Sequence, residues 1–115
     1  MPDFEYKGQT LYNPVEYTLK KIGGRWKMPI LWRLNQKVYR TGELKRSIKG
    51  ITQKMLTQQL RELEEDGYVN RRVYAQVPPK VEYSLTEAGK TTIPIIETLR
   101  DWGIKEMQRE GIDPK

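Results

Sequence analysis

Apolar positions recur at helical spacing through the first half of the chain and switch to strand spacing after Gly67. Asn13-Pro14 predicts the start of a first helix, because Asn can cap and Pro suits the first helical position. Val15, Leu19 and Ile22 follow at helical intervals, and Gly23-Gly24 stops the run. A second helix is expected from about Arg25 to Leu34 with Ile30, Leu31 and Leu34 inward; Pro29 is tolerated in its first turn. Thr41 is expected to cap a short third helix with Leu44 and Ile48 on its apolar side, and Lys49-Gly50-Ile51 reads as a tight turn. Thr52 is then expected to cap a longer helix ending at Gly67. On it Leu56, Leu60 and Leu63 fall within about 60° of one another at roughly 100° per residue.

Tyr68 to Tyr74 and Val81 to Leu85 are rich in β-branched and aromatic residues, the strand signature. Between them Ala75 to Lys80 carries Pro78-Pro79, which cannot extend a ladder and so predicts a stiff hairpin loop. Arg71 interrupts the alternation of the first strand, as an edge strand half in solvent would. Thr86 is expected to cap a last helix with Ala88, Ile95, Ile96, Leu99 and Trp102 on its apolar side. Pro94 predicts either a kink or a short helix followed by a second one. A short helix, a Gly-containing turn and a longer helix form the helix-turn-helix plan. With a hairpin directly behind it, the expected fold is mainly α with a small β-hairpin: a winged helix-turn-helix.

No internal repeat, low-complexity tract or linker divides the 115 residues, so one domain is expected. Residues 13–86 would be a DNA-binding core, and 1–12 and 87–115 an arm and a helix for dimerisation. Hydrophobic residues are 37 % of the chain and charged ones 31 %, a lean supply for one core. So lean a chain often completes its core against a second copy. Phe4, Tyr6, Leu11 and Tyr12 precede the first helix with no obvious core to enter, which points the same way. Trp26, Trp32, Trp102, Tyr12, Tyr17 and Tyr39 read as core or interface residues, and Met55 as packing.

The net charge of +6 is unevenly spread. From Lys20 to Arg61 twelve Lys/Arg face a single acid, Glu43, whereas residues 1–19 and 81–115 each carry −2. A basic middle between slightly acidic ends matches a nucleic-acid footprint. Cys and His are both absent. Without them a Ser–His or Cys–His nucleophile pair is impossible, zinc and iron–sulfur sites lose their usual ligands, and thiol sensing is excluded. No Gly-rich phosphate loop of the G-x-x-x-x-G-K type occurs. Neither catalysis, a metal nor a cofactor is therefore expected. The N-terminus has no basic stretch or apolar run of a secretory signal. The longest apolar stretch, about Met28 to Trp32, is far short of the roughly 18 residues of a membrane span, so a cytoplasmic location is expected.

Opposite Leu56, Leu60 and Leu63 the fourth helix carries Lys54, Thr57, Gln58 and Arg61, with Thr52 and Gln53 at its N-terminal end. These side chains suit a major groove: Arg can pair with guanine, Gln with adenine, and Thr can touch a thymine methyl or a phosphate. Glu62, Glu64, Glu65 and Asp66 gather at the other end, so the N-terminal half should face phosphate and the C-terminal half avoid it. A solvated helix face would explain polar residues but not this asymmetry. Lys45, Arg46 and Lys49 lie where backbone phosphates would pass, with Arg40 extending the patch. In the hairpin loop, stiffness would hold Lys80 against a groove or phosphate; the alternative is a plain rigid turn with a solubilising Lys. Arg71 and Arg72 would support the same edge.

The sequence also resembles the HxlR-type regulators, a branch of the bacterial winged-helix transcription factors. The resemblance is carried by Asn13 to Leu19, by Ile22-Gly23-Gly24-Arg25-Trp26-Lys27, by Ile51 to Gly67 and by Val77 to Thr86, and covers about residues 13–103. It implies a DNA-binding homodimer with an interface of N- and C-terminal helices and a winged helix on each subunit. Many members carry Cys immediately before the Pro-Val-Glu motif, some of them sensing oxidants or electrophiles through it; this chain has Asn13. Any small-molecule effector must therefore act without a thiol.

The expected function is a sequence-specific regulator binding double-stranded DNA. Its recognition helix, about 52–66, would enter the major groove, and its wing, about 75–80, would rest on the flanking backbone or minor groove. A two-fold dimer would set two such helices about 34 Å apart. The alternative is a winged-helix interaction module whose basic surface meets an acidic protein. RNA binding is a weaker reading, since no strand shows an exposed aromatic ladder.

Overall fold

A computed structural model describes residues 3–114. The chain opens with an unforeseen hairpin of β1 (Phe4–Tyr6) and β2 (Gln9–Leu11), with Phe4 opposite Leu11. Lys7 and Gly8 close it, both at positive φ (49° and 78°), as a two-residue turn with right-handed strand twist requires. The hairpin folds back on α1 (Pro14–Ile22) instead of reaching outward as a bare arm. The rings of Phe4 and Tyr6 meet that of Tyr17 edge-on at 5.8 and 5.0 Å, and Leu11 is fully buried. Only Tyr12 of that group stays largely exposed.

The Asn13 side chain accepts from the Glu16 N–H, and Pro14 takes the first helical position, as the sequence indicates. Of the expected inward positions only Ile22 enters the core; Val15 and Leu19 remain 62 % and 56 % exposed. Next, α2 (Lys27–Gln36) buries Ile30, Leu31 and Leu34. It starts two residues later than predicted, because Arg25 and Trp26 form the turn before it. A two-residue strand missed in the sequence, β3 (Tyr39–Arg40), leads into α3 (Thr41–Ser47). Thr41 is the first residue of that helix and not its cap: the Arg40 N–H donates to the Glu43 carboxylate at 2.8 Å. Leu44 is buried, and Ile48 and Ile51 flank the turn.

Gly50 sits in that turn at φ +90°, a conformation that costs a side chain dear. The long helix α4 (Gln53–Glu65) follows, its Thr52 cap accepting from the Met55 N–H at 3.1 Å. Leu56, Leu60 and Leu63 are essentially inaccessible, each worth about 2 kcal/mol of burial. The wing is β4 (Val69–Tyr74) and β5 (Lys80–Leu85), antiparallel, with Arg71 opposite Tyr83 and Tyr74 opposite Lys80. β3 pairs with the other side of β5, so the sheet order is β3-β5-β4 and β4 is an edge strand, as Arg71 suggested.

Thr86 caps α5 (Glu87–Lys90), and Pro94 lies in the first turn of α6 (Ile93–Arg109), the second of the two outcomes Pro94 allowed. Ile93 and Ile96 join the main core, which therefore continues past position 86. Trp26 and Trp32 pack on the same core and Tyr39 lies within it. Beyond its first turn α6 has little to cover it: Ile95, Leu99 and Trp102 are 42 %, 48 % and 67 % exposed, and Ala88 before them is exposed as well. The radius of gyration, 16.1 Å, exceeds the roughly 13 Å of a compact domain of about this size, which matches a helix and a wing standing off the body.

Candidate nucleic-acid interface

The three buried leucines of α4 fix which of its sides looks outward. Thr52, Gln53, Lys54, Thr57, Gln58 and Arg61 are all exposed, and all but Thr52 line one open concavity. Gln53 donates to the Thr57 hydroxyl at 3.1 Å, which tethers the first of these amides along the helix. Lys54, Gln58 and Arg61 make no hydrogen bond or ion pair with the rest of the chain among the described residues. Their polar groups are free to bind something else. Lys45, Arg46 and Lys49 are likewise exposed on α3 and the turn, without an acidic partner among the described residues. Five of the ten sequence-predicted site residues thus share one concavity on α4, while Thr52 at its cap and Lys45, Arg46 and Lys49 on α3 and the turn are exposed.

Lys80 is the exception. It opens β5 instead of crowning the loop, pairs with Glu82 at 3.5 Å and lies over the Tyr74 ring at 4.5 Å. Arg72 stacks on the same ring at 4.9 Å. The last strand pair before the loop is therefore braced by cations, and the tip is Val77, fully exposed, followed by Pro78 and Pro79 with a cis Val77–Pro78 bond. Tyr74 is also tied to Glu82, whose carboxylate, with some burial, pushes the phenol pKa up.

Strand alternation puts Arg71 on the same side of β4 as the buried Val69, facing α4. There it borders a notch with Thr57, Arg61, Glu64 and Tyr83. The sequence grouped Arg71 with the wing edge. Counting in twos from Val69 would have placed it beside the recognition helix instead.

Three contacts that sequence reasoning missed hold α4 and the turn in place. Lys27, buried at the start of α2, reaches Glu62 at 2.8 Å across 35 residues. Lys21 meets Asp66 at 3.3 Å and the Tyr6 hydroxyl at 3.3 Å, with the rings of Tyr6, Tyr17 and Tyr68 all within 6 Å. Burial there disfavours the ammonium, but the Tyr6 hydroxyl and the Asp66 carboxylate outweigh it, so its pKa is raised. Arg33 donates to the Ser47 carbonyl at 2.8 Å and to the Pro29 carbonyl at 3.1 Å, fastening the end of α3 to α2. No local sequence signal marks these partners. Two of the four acids at the far end of α4 are therefore spent on internal pairs, leaving Glu64 and Glu65 in solvent.

Among the described residues no group of three or more His, Cys, Asp or Glu could hold a metal ion, and no helix is long and apolar enough to cross a membrane. A short helix, a glycine turn, a long helix with exposed Lys54 and Arg61, and a hairpin wing define the winged helix-turn-helix class, whose members bind DNA. Residues 21–111 match the family model described as HxlR-like helix-turn-helix, and the chain belongs to that family. The HTH-type transcriptional regulator YtcD of Bacillus subtilis is 57 % identical over 95 residues, 83 % of this chain and 75 % of that protein. The crystal structure of a ytcD regulator superposes with a TM-score of 0.79 at 55 % identity, over 84 % of this chain and 98 % of that one. BH0655, an HTH-type transcriptional regulator of Halalkalibacterium halodurans, is 52 % identical over 105 residues, 88 % of this chain and 93 % of that protein. The redox regulator HypR in its reduced form superposes with a TM-score of 0.78 at 51 % identity, over 84 % of this chain and 94 % of that one. With no cysteine, this chain cannot do thiol chemistry of its own. The chain is a DNA-binding transcriptional regulator of the HxlR-like type.

Proposed function

We propose that α4 reads base edges in the major groove while α3 and the turn hold the flanking phosphates. The observation that carries this is the free state of Lys54, Gln58 and Arg61 on an exposed helix whose opposite side is locked into the core. Arg61 and Gln58 have the bidentate geometry that distinguishes guanine and adenine, and Thr52, Gln53, Lys54 and Thr57 lie toward the helix start, where base edges and phosphates meet. Lys45, Arg46 and Lys49 serve position, not sequence. At the wing the rigid tip of Val77-Pro78-Pro79 approaches the flanking groove, with Lys80 bracing it from the sheet.

The active species in this reading is a homodimer formed by the terminal elements, each chain acting as one unit in the cytoplasm and doing no catalysis. Support comes from the apolar surface left on α1 and α6, namely Val15, Leu19, Ile95, Leu99 and Trp102. An effector, where one acts, binds without covalent chemistry at sulfur.

Selection of duplexes from a random library tests both parts. A two-fold symmetric consensus with half-sites about one helical turn apart is the expected result, with affinity falling steeply in salt at a slope of about −0.9 per phosphate neutralised. Equal binding of the selected and the starting duplexes overturns base reading. A consensus that is a single, unrepeated half-site overturns the dimer.

A further inference from the structure

Beyond the expected reading surface, the turn between α1 and α2 brings another cation to the helix-turn-helix. Arg25 is exposed, and its guanidinium lies 4.5 Å from the centre of the Trp26 ring. A side-chain carbon at Gly50 would stand 3.8 Å from an Arg25 nitrogen and 3.9 Å from the Trp26 ring. The Arg25–Trp26 stack therefore rests directly over the turn that separates α3 from α4, two residues before the Thr52 cap. The turn needs glycine for its φ of +90°, and the absent side chain leaves the space beside the guanidinium open.

Arg25 makes no ion pair among the described residues, in contrast to Lys21 and Lys27 a few positions along, which are committed to Asp66 and Glu62. Stacking on an indole fixes the plane of the guanidinium without consuming its N–H donors, so little entropy remains to be lost when it binds. Trp26 is itself packed against the core, which makes the platform rigid. With Lys49 in the adjacent turn, the local field is cationic on both sides of Gly50.

We propose that Arg25, held flat by Trp26 beside Gly50, is a phosphate-binding site for one backbone phosphodiester of duplex DNA, on the strand bordering the groove that α4 enters. The inference rests on the DNA-binding reading of α4 and adds a contact from outside the α3–turn–α4 unit. A planar, pre-oriented fork suits the two free oxygens of a phosphodiester. Lysine would keep the charge and lose both the stacking and the fork.

The test uses full-length protein and a duplex selected by the wild type. Arg25→Ala is expected to weaken binding about tenfold, equally on selected and mixed-sequence duplexes, and to flatten the salt slope by about 0.9. Arg25→Lys should keep most of the slope but recover only part of the affinity. Replacing the phosphates one at a time with neutral methylphosphonates should reveal a position that costs the wild type about tenfold and costs Arg25→Ala nothing. An unchanged slope, or losses that multiply at every phosphate, overturns the site. Thermal melting of each variant separates misfolding from lost contact: a variant that melts with the wild type yet binds fully also overturns it. Wild-type binding to the selected duplex reports on the α4 reading independently, so the two claims fail separately.

Discussion

Two groups of cations, close in sequence, behave oppositely in this molecule. Lys21, Lys27 and Arg33 turn inward onto Asp66, Glu62 and the Ser47 carbonyl, while Lys45, Lys49, Lys54 and Arg61 are exposed and make no ion pair among the described residues. The first group fastens α4 and its preceding turn to the rest of the fold; the second is what the fastened helix presents. A surplus of basic residues is therefore two populations, one spent on architecture and one held for a polyanion. Variants that exchange these roles put the distinction at risk.

Reversing the free group should have the largest effect. Lys45→Glu with Lys49→Glu is expected to weaken DNA binding about a hundredfold or more, on selected and mixed-sequence duplexes alike, in a low-salt gel shift. Folding should be little affected, because both side chains are exposed and neither makes an ion pair among the described residues. Retention of binding by this pair would place the phosphates elsewhere. Next comes Arg61→Ala, expected to cost roughly 1–3 kcal/mol on the selected duplex and clearly less on mixed sequence. A loss equal on both would turn Arg61 from a reader into a plain phosphate contact.

The inward group should show itself in stability instead. Glu62→Ala leaves the Lys27 ammonium buried without a counter-ion, whereas Lys27→Met leaves only a half-exposed carboxylate. Since Glu62 is partly solvated, the first change is expected to cost about 2 kcal/mol and the second less than about 1 kcal/mol by urea unfolding. Equal costs would mean that the pair is mere surface chemistry. The sign of the asymmetry matters more than its size.

The same split explains how much could be read from the sequence. Apolar spacing located every helix and both wing strands, because Leu56, Leu60, Leu63 and their counterparts answer to a local period. Cap and break residues such as Asn13, Thr52 and Thr86 are local too, and each does what its side chain suggests. Arg40 takes the cap position from Thr41 because Glu43, three residues on, reaches back to its N–H, whereas a cap at Thr41 would put Leu44 at that place. The β1–β2 hairpin was missed because each strand is three residues long, too short for alternation to register. Val15 and Leu19 have helical spacing without burial: period says which side is apolar, not what covers it. The candidate DNA surface was legible as a cluster, yet which lysines were free was not, since the partners of Lys21 and Lys27 arrive from tens of residues away.

The smallest expected effect concerns Glu43, the single acid among the twelve cations from Lys20 to Arg61. Left unpaired, it would oppose phosphate across α3. Instead its carboxylate accepts from the Arg40 N–H at 2.8 Å and from Lys37 at 3.3 Å, and these two contacts in that order hold its pKa below the ordinary 4.5. A carboxyl depressed on folding stabilises the native state above its unfolded pKa, and that contribution fades as pH falls through the folded value. Glu43→Gln should thus lower Tm modestly at neutral pH, with the difference from the wild type shrinking below about pH 4.5 and vanishing once the native carboxyl is protonated. DNA affinity at neutral pH should change little, because the acid is already answered by the Arg40 N–H and the Lys37 ammonium. A large gain in affinity for Glu43→Gln would show that Glu43 acts on the bound phosphates after all, and that the division between spent and available charge does not hold at this end of the surface.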